Sequence, residues 1–143
     1  MLTENITYRA CEERDIEYLL WLRKETMNTH LENSGLSIDD ENHIKRIRYR
    51  FENAKFIYLN EKKIGLLKIL QEQEHIEIIQ IQIEPDYQGK GLGEILIKKI
   101  IDTNSRKMPI RLNVLKENKA RKLYEKLGFK IIEEDQHSFM MEC

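Results

Sequence analysis

Apolar side chains recur along this chain at two spacings, and the switches between them outline a fold. Ile6-Thr7-Tyr8-Arg9 reads as a short opening strand. Glu12 and Glu13 then put negative charge at a helix start, where it complements the helix dipole. Ile16, Leu19, Leu20, Met27 and Leu31 recur near helical spacing, and Asn33-Ser34-Gly35 stops that helix. Ser37 with Asp40 resembles a capping box for a second helix with the stripe Ile44, Ile47 and Phe51. From there the character becomes strand-like. Phe56 to Leu59 is a strand, Asn60 to Lys63 a turn, and Ile64 to Leu70 its partner. Polar Gln71 to Glu74 turns the chain into a third central strand, Ile76 to Ile83. Leu92, Ile95, Leu96, Ile100 and Ile101 return to the helical period. Ile110 to Leu115 is a strand entered from Pro109. Asn118 can cap a last helix carrying Ala120, Leu123, Tyr124 and Leu127, which Gly128 ends. Phe129 to Ile132 and His137 to Met141 form a closing antiparallel pair.

The order βααβββαβαββ places antiparallel strands first and a βαβ unit second. It predicts an α+β fold with a mixed, mostly antiparallel sheet of about seven strands flanked by four helices. No linker or repeat divides the chain, so residues 1–143 are expected to form one domain.

Composition narrows the function classes. The 143 residues are 41% hydrophobic and 34% charged, with a formal net charge of -1. That balance supplies no basic footprint for nucleic acid. No run is long enough to span a bilayer and the N-terminal stretch lacks an apolar signal core, so the expected setting is cytoplasmic, with no membrane partner. Cys11 and Cys143 lack metal-ligand or redox spacing, and His30, His43, His75 and His137 are scattered, so no metal is expected.

Chemistry concentrates around Gln88-Gly89-Lys90-Gly91-Leu92-Gly93. The stretch fails the dinucleotide template, which needs a final x-x-G, and fails the Walker pattern, which needs Gly-Lys-Ser/Thr. It still joins a strand to a helix start, where unpartnered N–H groups and partial positive charge favour an anion and glycine permits close approach. In the preceding strand, strict alternation puts Glu77, Ile79, Ile81 and Ile83 on one face and Ile76, Ile78, Gln80 and Gln82 on the other.

The loop matches the Q/R-x-x-G-x-G/A signature of the GCN5-related N-acetyltransferases (GNAT). The strand EIIQIQIEPDY before it and the run NKARKLYEKLGF after it also resemble that family, in the family's order and over the whole chain. The resemblance implies a GNAT-like fold and acetyl-CoA as co-substrate. Gln88, Gly89, Lys90, Gly91, Leu92, Gly93 and Glu94 would surround its pyrophosphate. Ile81, Gln82 and Ile83 would meet the pantetheine arm at a bulge, with an N–H near Ile81 polarising the thioester, and Asn113 and Asn118 would add contacts. Tyr124 would point its hydroxyl at the coenzyme sulfur. Glu77 occupies the position of the catalytic glutamate in the histone-acetyltransferase branch and could accept the ammonium proton; a salt-bridging edge residue is the alternative. Glu84 and His75 are reserves. The first two helices would cover the acceptor with Arg23, Met27, His30 and Arg50. An arginine facing that groove would suit a carboxylate-bearing acceptor. The expected function is transfer of an acetyl group to a primary amine of a small molecule or peptide, by direct attack in a ternary complex. The alternative is a non-catalytic acyl-CoA-binding regulatory module. Homodimerisation would follow family habit.

Overall fold

The computed structural model describes residues 5–104 and 107–143. The first four residues of the N-terminal stretch read for a signal core lie outside that range. Eleven main elements follow the expected order: β1 (Ile6–Ala10), α1 (Ile16–Asn33), α2 (Asp40–Arg48), β2 (Ala54–Leu59), β3 (Lys62–Gln71), β4 (Ile76–Ile83), α3 (Leu92–Asp102), β5 (Ile110–Leu115), α4 (Ala120–Lys126), β6 (Lys130–Glu134) and β7 (Ser138–Glu142). The strands form one seven-stranded sheet in the order β1-β2-β3-β4-β5-β7-β6. Among the described residues only β4 and β5 pair in parallel, as the βαβ reading requires.

Each face of the sheet has its own core. Ile57, Ile64, Leu67, Ile78, Leu112 and Val114 pack with Leu92, Leu96 and Ile97 of α3. On the other face Phe56 and Leu66 pack with Leu19 and Leu22 of α1 and Ile47 of α2. Adjacent strand positions thus feed opposite cores, as a sheet covered on both faces demands.

Local signals explain most boundaries. Asn60 and Glu61 both have positive φ, so β2 and β3 are joined by a two-residue turn, one residue pair shorter than the Asn60 to Lys63 turn read from sequence. The cap of α2 differs from expectation too. Asp39, not Ser37, accepts from the Asn42 N–H at 2.8 Å, and the Ser37 hydroxyl donates to Asp39 at 2.7 Å. A carboxylate outcompetes a hydroxyl for that role because its charge also meets the helix dipole. Asn118 stands one residue before the N-cap position of α4, which Lys119 holds, and its Oδ1 accepts from the Ala120 N–H at 2.9 Å in the first turn. Gly128, at φ 102, closes α4 with Phe129 N–H donating back to the Tyr124 carbonyl.

One departure matters for the site. Lys68 of β3 pairs with Gln80, but the next residue, Ile69, pairs with Ile78, leaving Ile79 as a bulge. Strict alternation therefore fails in β4. Ile76 and Ile78 before the bulge, and Ile81 and Ile83 after it, all pack on the α3 side. Gln80 instead reaches α2, its Nε2 donating to the Arg46 carbonyl at 3.3 Å. Both predicted groupings are corrected: the bulge puts Ile76 and Ile78 on the face of Ile81 and Ile83, and Glu77 on that of Gln80 and Gln82.

Candidate active site

Parallel pairing of β4 and β5 covers only Ile76 with Ile110, Glu77 with Arg111 and Ile78 with Leu112. Both strands continue past it, β4 to Ile83 and β5 to Leu115, but apart. The bulge at Ile79 sits where they separate, and the extra residue turns β4 away from its neighbour. A cleft of about 550 Å³ opens in the gap. Ile79, Gln80, Ile81 and Gln82 form one wall, with Asn113, Asn118 and Tyr124 opposite. Arg23 and Met27 of α1, with His43 and Arg46 of α2, close its other side. Strand edges that part this way leave backbone N–H and C=O groups available to an extended ligand.

Tyr124 sits in α4 with its ring edge-on to Phe129, centroids 6.0 Å apart. Burial raises its phenol above the ordinary value. Its hydroxyl bonds to none of the described residues, so it remains available to a ligand as a proton donor.

The glycine loop leads into α3. Gly89 and Gly91 have φ of 74 and 79, which only glycine adopts without strain, and a Cβ on either would meet nothing within 4 Å. That open space lies beside the first turn of α3, where the first intrahelical bond from the loop is Ile95 N–H to the Gly91 carbonyl. The preceding amides of that turn are therefore free to bind an anion. Gly93 instead makes ordinary packing contact with Leu123 of α4, a Cβ there lying 3.8 Å from its Cδ2. Exposed Gln88 donates its Nε2 to the Ile83 carbonyl at 2.9 Å, tying the loop back to the end of β4. Lys90 holds its ammonium 5.5 Å from the Tyr87 ring centre at the rim. Glu94 pairs with Lys126 at 3.1 Å and Lys98 at 3.6 Å, tying α3 to α4, and Lys126 draws its carboxyl below the usual range.

Of the residues expected from sequence, Arg23, Met27, Ile81, Gln82, Asn113, Asn118 and Tyr124 converge on the cleft. His30, Arg50, Glu77 and Ile83 are not part of its lining, and neither are residues 88–94. Arg50 lies over Tyr49, 5.9 Å from its ring centre. Glu77 stands 3.8 Å from His75 near the closed end of the strand pair. Glu84, at the end of β4, accepts from the Tyr18 hydroxyl of α1, so this reserve base is already occupied. Burial, followed by Glu84, pushes the Tyr18 phenol up. Burial likewise raises the Cys11 thiol to about 11, so it offers no thiolate nucleophile near neutral pH.

Three polar residues were not singled out from sequence. His43 and Gln80 line the cleft. Lys68 lies fully buried behind it, its Nζ donating to the carbonyls of Arg46, Ile47 and Tyr49 at 3.1, 2.9 and 2.6 Å. The available signal was a lysine inside the apolar run Ile64 to Leu70 and a glutamine inside Ile76 to Ile83, since a buried polar side chain needs a specific partner.

Comparison with known proteins follows the same lines. Spermidine N(1)-acetyltransferase of Escherichia coli K12 is 35% identical over 104 residues, 68% of this chain and 55% of that protein. The [ribosomal protein bS18]-alanine N-acetyltransferase of Haemophilus influenzae is 37% identical over 82 residues, 56% of each chain. The chain thus aligns with just over half the length of these curated relatives. The crystal structure of PaiA N-acetyltransferase from Thermoplasma acidophilum in complex with coenzyme A superposes with a TM-score of 0.69 at 20% identity, over 96% of this chain and 97% of that one. The family model for the acetyltransferase (GNAT) domain matches residues 31–139, from the end of α1 into β7. Because that match takes in the parted strands, the glycine loop and the tyrosine helix together, the chain belongs to the GNAT acetyltransferase family.

Proposed function

We propose that this protein transfers an acetyl group from acetyl-CoA to a primary amine of a small molecule or peptide. The observation that carries the reading is the cleft between β4 and β5, with free strand edges on one wall and the Tyr124 hydroxyl on the other. The amides at the start of α3, opened by Gly89 and Gly91, would hold the pyrophosphate. Ile81, in the parted segment of β4, would donate its N–H to the thioester oxygen as charge develops there. The donor supplies an acetyl group activated as a thioester. The attacking amine nitrogen forms the new C–N bond, the C–S bond breaks, Tyr124 gives its proton to the departing sulfur, and it regains one from the nitrogen as that becomes the amide. No aspartate or glutamate is among the residues lining the cleft. The ammonium proton would therefore leave through water, with Glu77 as the acceptor on the same face of β4. Neither Cys11 nor Cys143 lines the cleft, and Cys11 is a protonated thiol, which supports direct attack over an acyl-enzyme.

Thiol release from acetyl-CoA over a panel of amines tests the proposal. Turnover with at least one amine is expected, and tight acetyl-CoA binding without turnover on any would favour the regulatory-module alternative. In calorimetry, Gly91→Val should weaken acetyl-CoA binding at least about tenfold, through backbone strain and loss of the open approach. Unchanged affinity would remove the loop from the site.

A further inference from the structure

The wall of the cleft formed by α1 and α2 carries a charge pattern that acetyl transfer by itself does not use. Arg23, Lys45 and Arg46 line it, and no carboxylate side chain does. Arg23 is only 7% exposed. None of the ion pairs among the described residues includes it. A buried guanidinium without a counter-charge is costly, so its orientation must be held by other means. His43 does this. Its Nδ1 accepts from Arg23 Nε at 3.0 Å, and its Nε2 lies 2.7 Å from Asn28 Oδ1. One nitrogen accepts and the other donates, which is the pattern of a neutral imidazole. Burial first, then Arg23, lowers the His43 pKa in the same direction. The terminal nitrogens of Arg23 bond to none of the described residues.

Gln80 adds an independent observation. It too is only 7% exposed, and its Oε1 is buried without a partner while its Nε2 is fixed on the Arg46 carbonyl. A buried carbonyl oxygen in a cleft wall seeks an N–H. The wall therefore offers a guanidinium fork that fits a carboxylate and an acceptor that fits an amine.

Resting on the acetyltransferase reading, we infer that the acceptor is a small amino-acid-type molecule, its carboxylate paired with Arg23 and its amine N–H with Gln80 Oε1. A cleft of about 550 Å³ that must also admit the thioester arm suits an acceptor of that size. A polyamine such as spermidine would bring positive charge against Arg23, Lys45 and Arg46 with no carboxylate to receive it. This chain thereby differs in acceptor from the spermidine acetyltransferase it resembles.

The experiment is calorimetry of the coenzyme A-saturated protein against amino acids and dipeptides, each paired with its decarboxylated amine, with spermidine as the polycation. At least one carboxylate-bearing member should bind, at least about tenfold more tightly than its bare amine. Arg23→Met should erase the difference and Arg23→Lys restore part of it. Because Arg23 is buried, Arg46→Gln on the exposed side of α2 provides a second variant, expected to reduce the preference several-fold with the fold intact. Equal or tighter binding of the bare amines or spermidine would overturn the inference, as would no carboxylate-bearing ligand binding at all. Thiol release with bare amines preferred would also overturn it, yet leave the acetyltransferase reading standing. Carboxylate-selective binding without turnover on any amine would do the reverse.

Discussion

Tyr124 concentrates the chemistry of the proposed reaction into one hydroxyl. Burial raises its pKa above that of an ordinary phenol, so the proton stays in place through the working range and beyond it. The sign matters: no loss of activity between neutral pH and pH ~10 should come from this group titrating. Tyr124→Phe keeps the ring against Phe129 and removes only the donor. It should lower kcat roughly a hundredfold or more while leaving KM for acetyl-CoA nearly unchanged, as expected for a general acid. Steady-state thiol release reads both constants. A variant as fast as the parent would reduce Tyr124 to a packing residue against Phe129.

Strand β4 shows what an element adds to its residues. Its position, length and polar end followed from the pattern Ile76 to Ile83, but the side of the sheet that each residue faces did not. The single inserted residue at Ile79 is defined only by the register with β3, a relation between segments that alternation within one segment cannot contain. So Gln80 and Gln82 were read correctly as neighbours on a face, and Ile76, Ile78 and Glu77 before the bulge were placed with the wrong sets. The same strand pair depends on Gly65 of β3. A Cβ there would lie 2.1 Å from the Gln82 carbonyl oxygen and 3.1 Å from its carbon, both backbone atoms that cannot step aside cheaply. Gly65→Ala should therefore cost about 3 kcal/mol, at the upper end for overpacking. It should also weaken acetyl-CoA binding, since the displaced segment is the cleft wall. Urea unfolding should show a lower midpoint with an unchanged slope. An unaltered midpoint would mean that β3 and β4 can separate freely at this point.

At the scale of the molecule, a two-faced sheet holds one helical layer by apolar packing and part of the other by charge. The α3 side was largely legible from spacing: Leu92 and Leu96 are buried where the helical period put them, and Ile95, Ile100 and Ile101 pack against the same core, while the buried Ile97 lay outside the stripe read from sequence. The α1 and α2 side was legible in its helices but not in its links to the sheet. Those links join residues far apart in sequence, such as Arg23 with His43, Tyr18 with Glu84 and Lys68 with the end of α2. Local propensity carries no information about such pairs, so the cation-lined wall emerged only once the chain was folded. Only the arginine itself was suspected.

Lys68, with three hydrogen bonds to the end of α2, gives a test of the whole arrangement. Helix α2 ends at an extended Tyr49 and buries only His43 and Ile47, so its last carbonyls depend on partners from elsewhere. The Lys68 ammonium takes three of them, from Arg46, Ile47 and Tyr49. Lys68→Met preserves the apolar stem but leaves those carbonyls without this donor. A loss of roughly 2–4 kcal/mol in unfolding free energy is expected, together with a weaker Arg23 site, because α2 carries His43. The pH dependence gives a second signature. Burial, reinforced by Arg46 and Arg23, lowers the Lys68 pKa to about 8 from an ordinary value of 10.5. Between these values the unfolded chain binds more protons at this site than the folded one, so this group makes stability rise with pH. The neutral amine keeps two hydrogens, enough for two of the three carbonyls, while the cost of burying its charge disappears. The stability gap between the parent and Lys68→Met should therefore widen from about pH 8 to 10.5. Denaturant titrations of both proteins across that window measure it. A gap that stayed constant would mean that Lys68 does not change its charge state in the fold, and one that closed would reverse the role given to the buried ammonium.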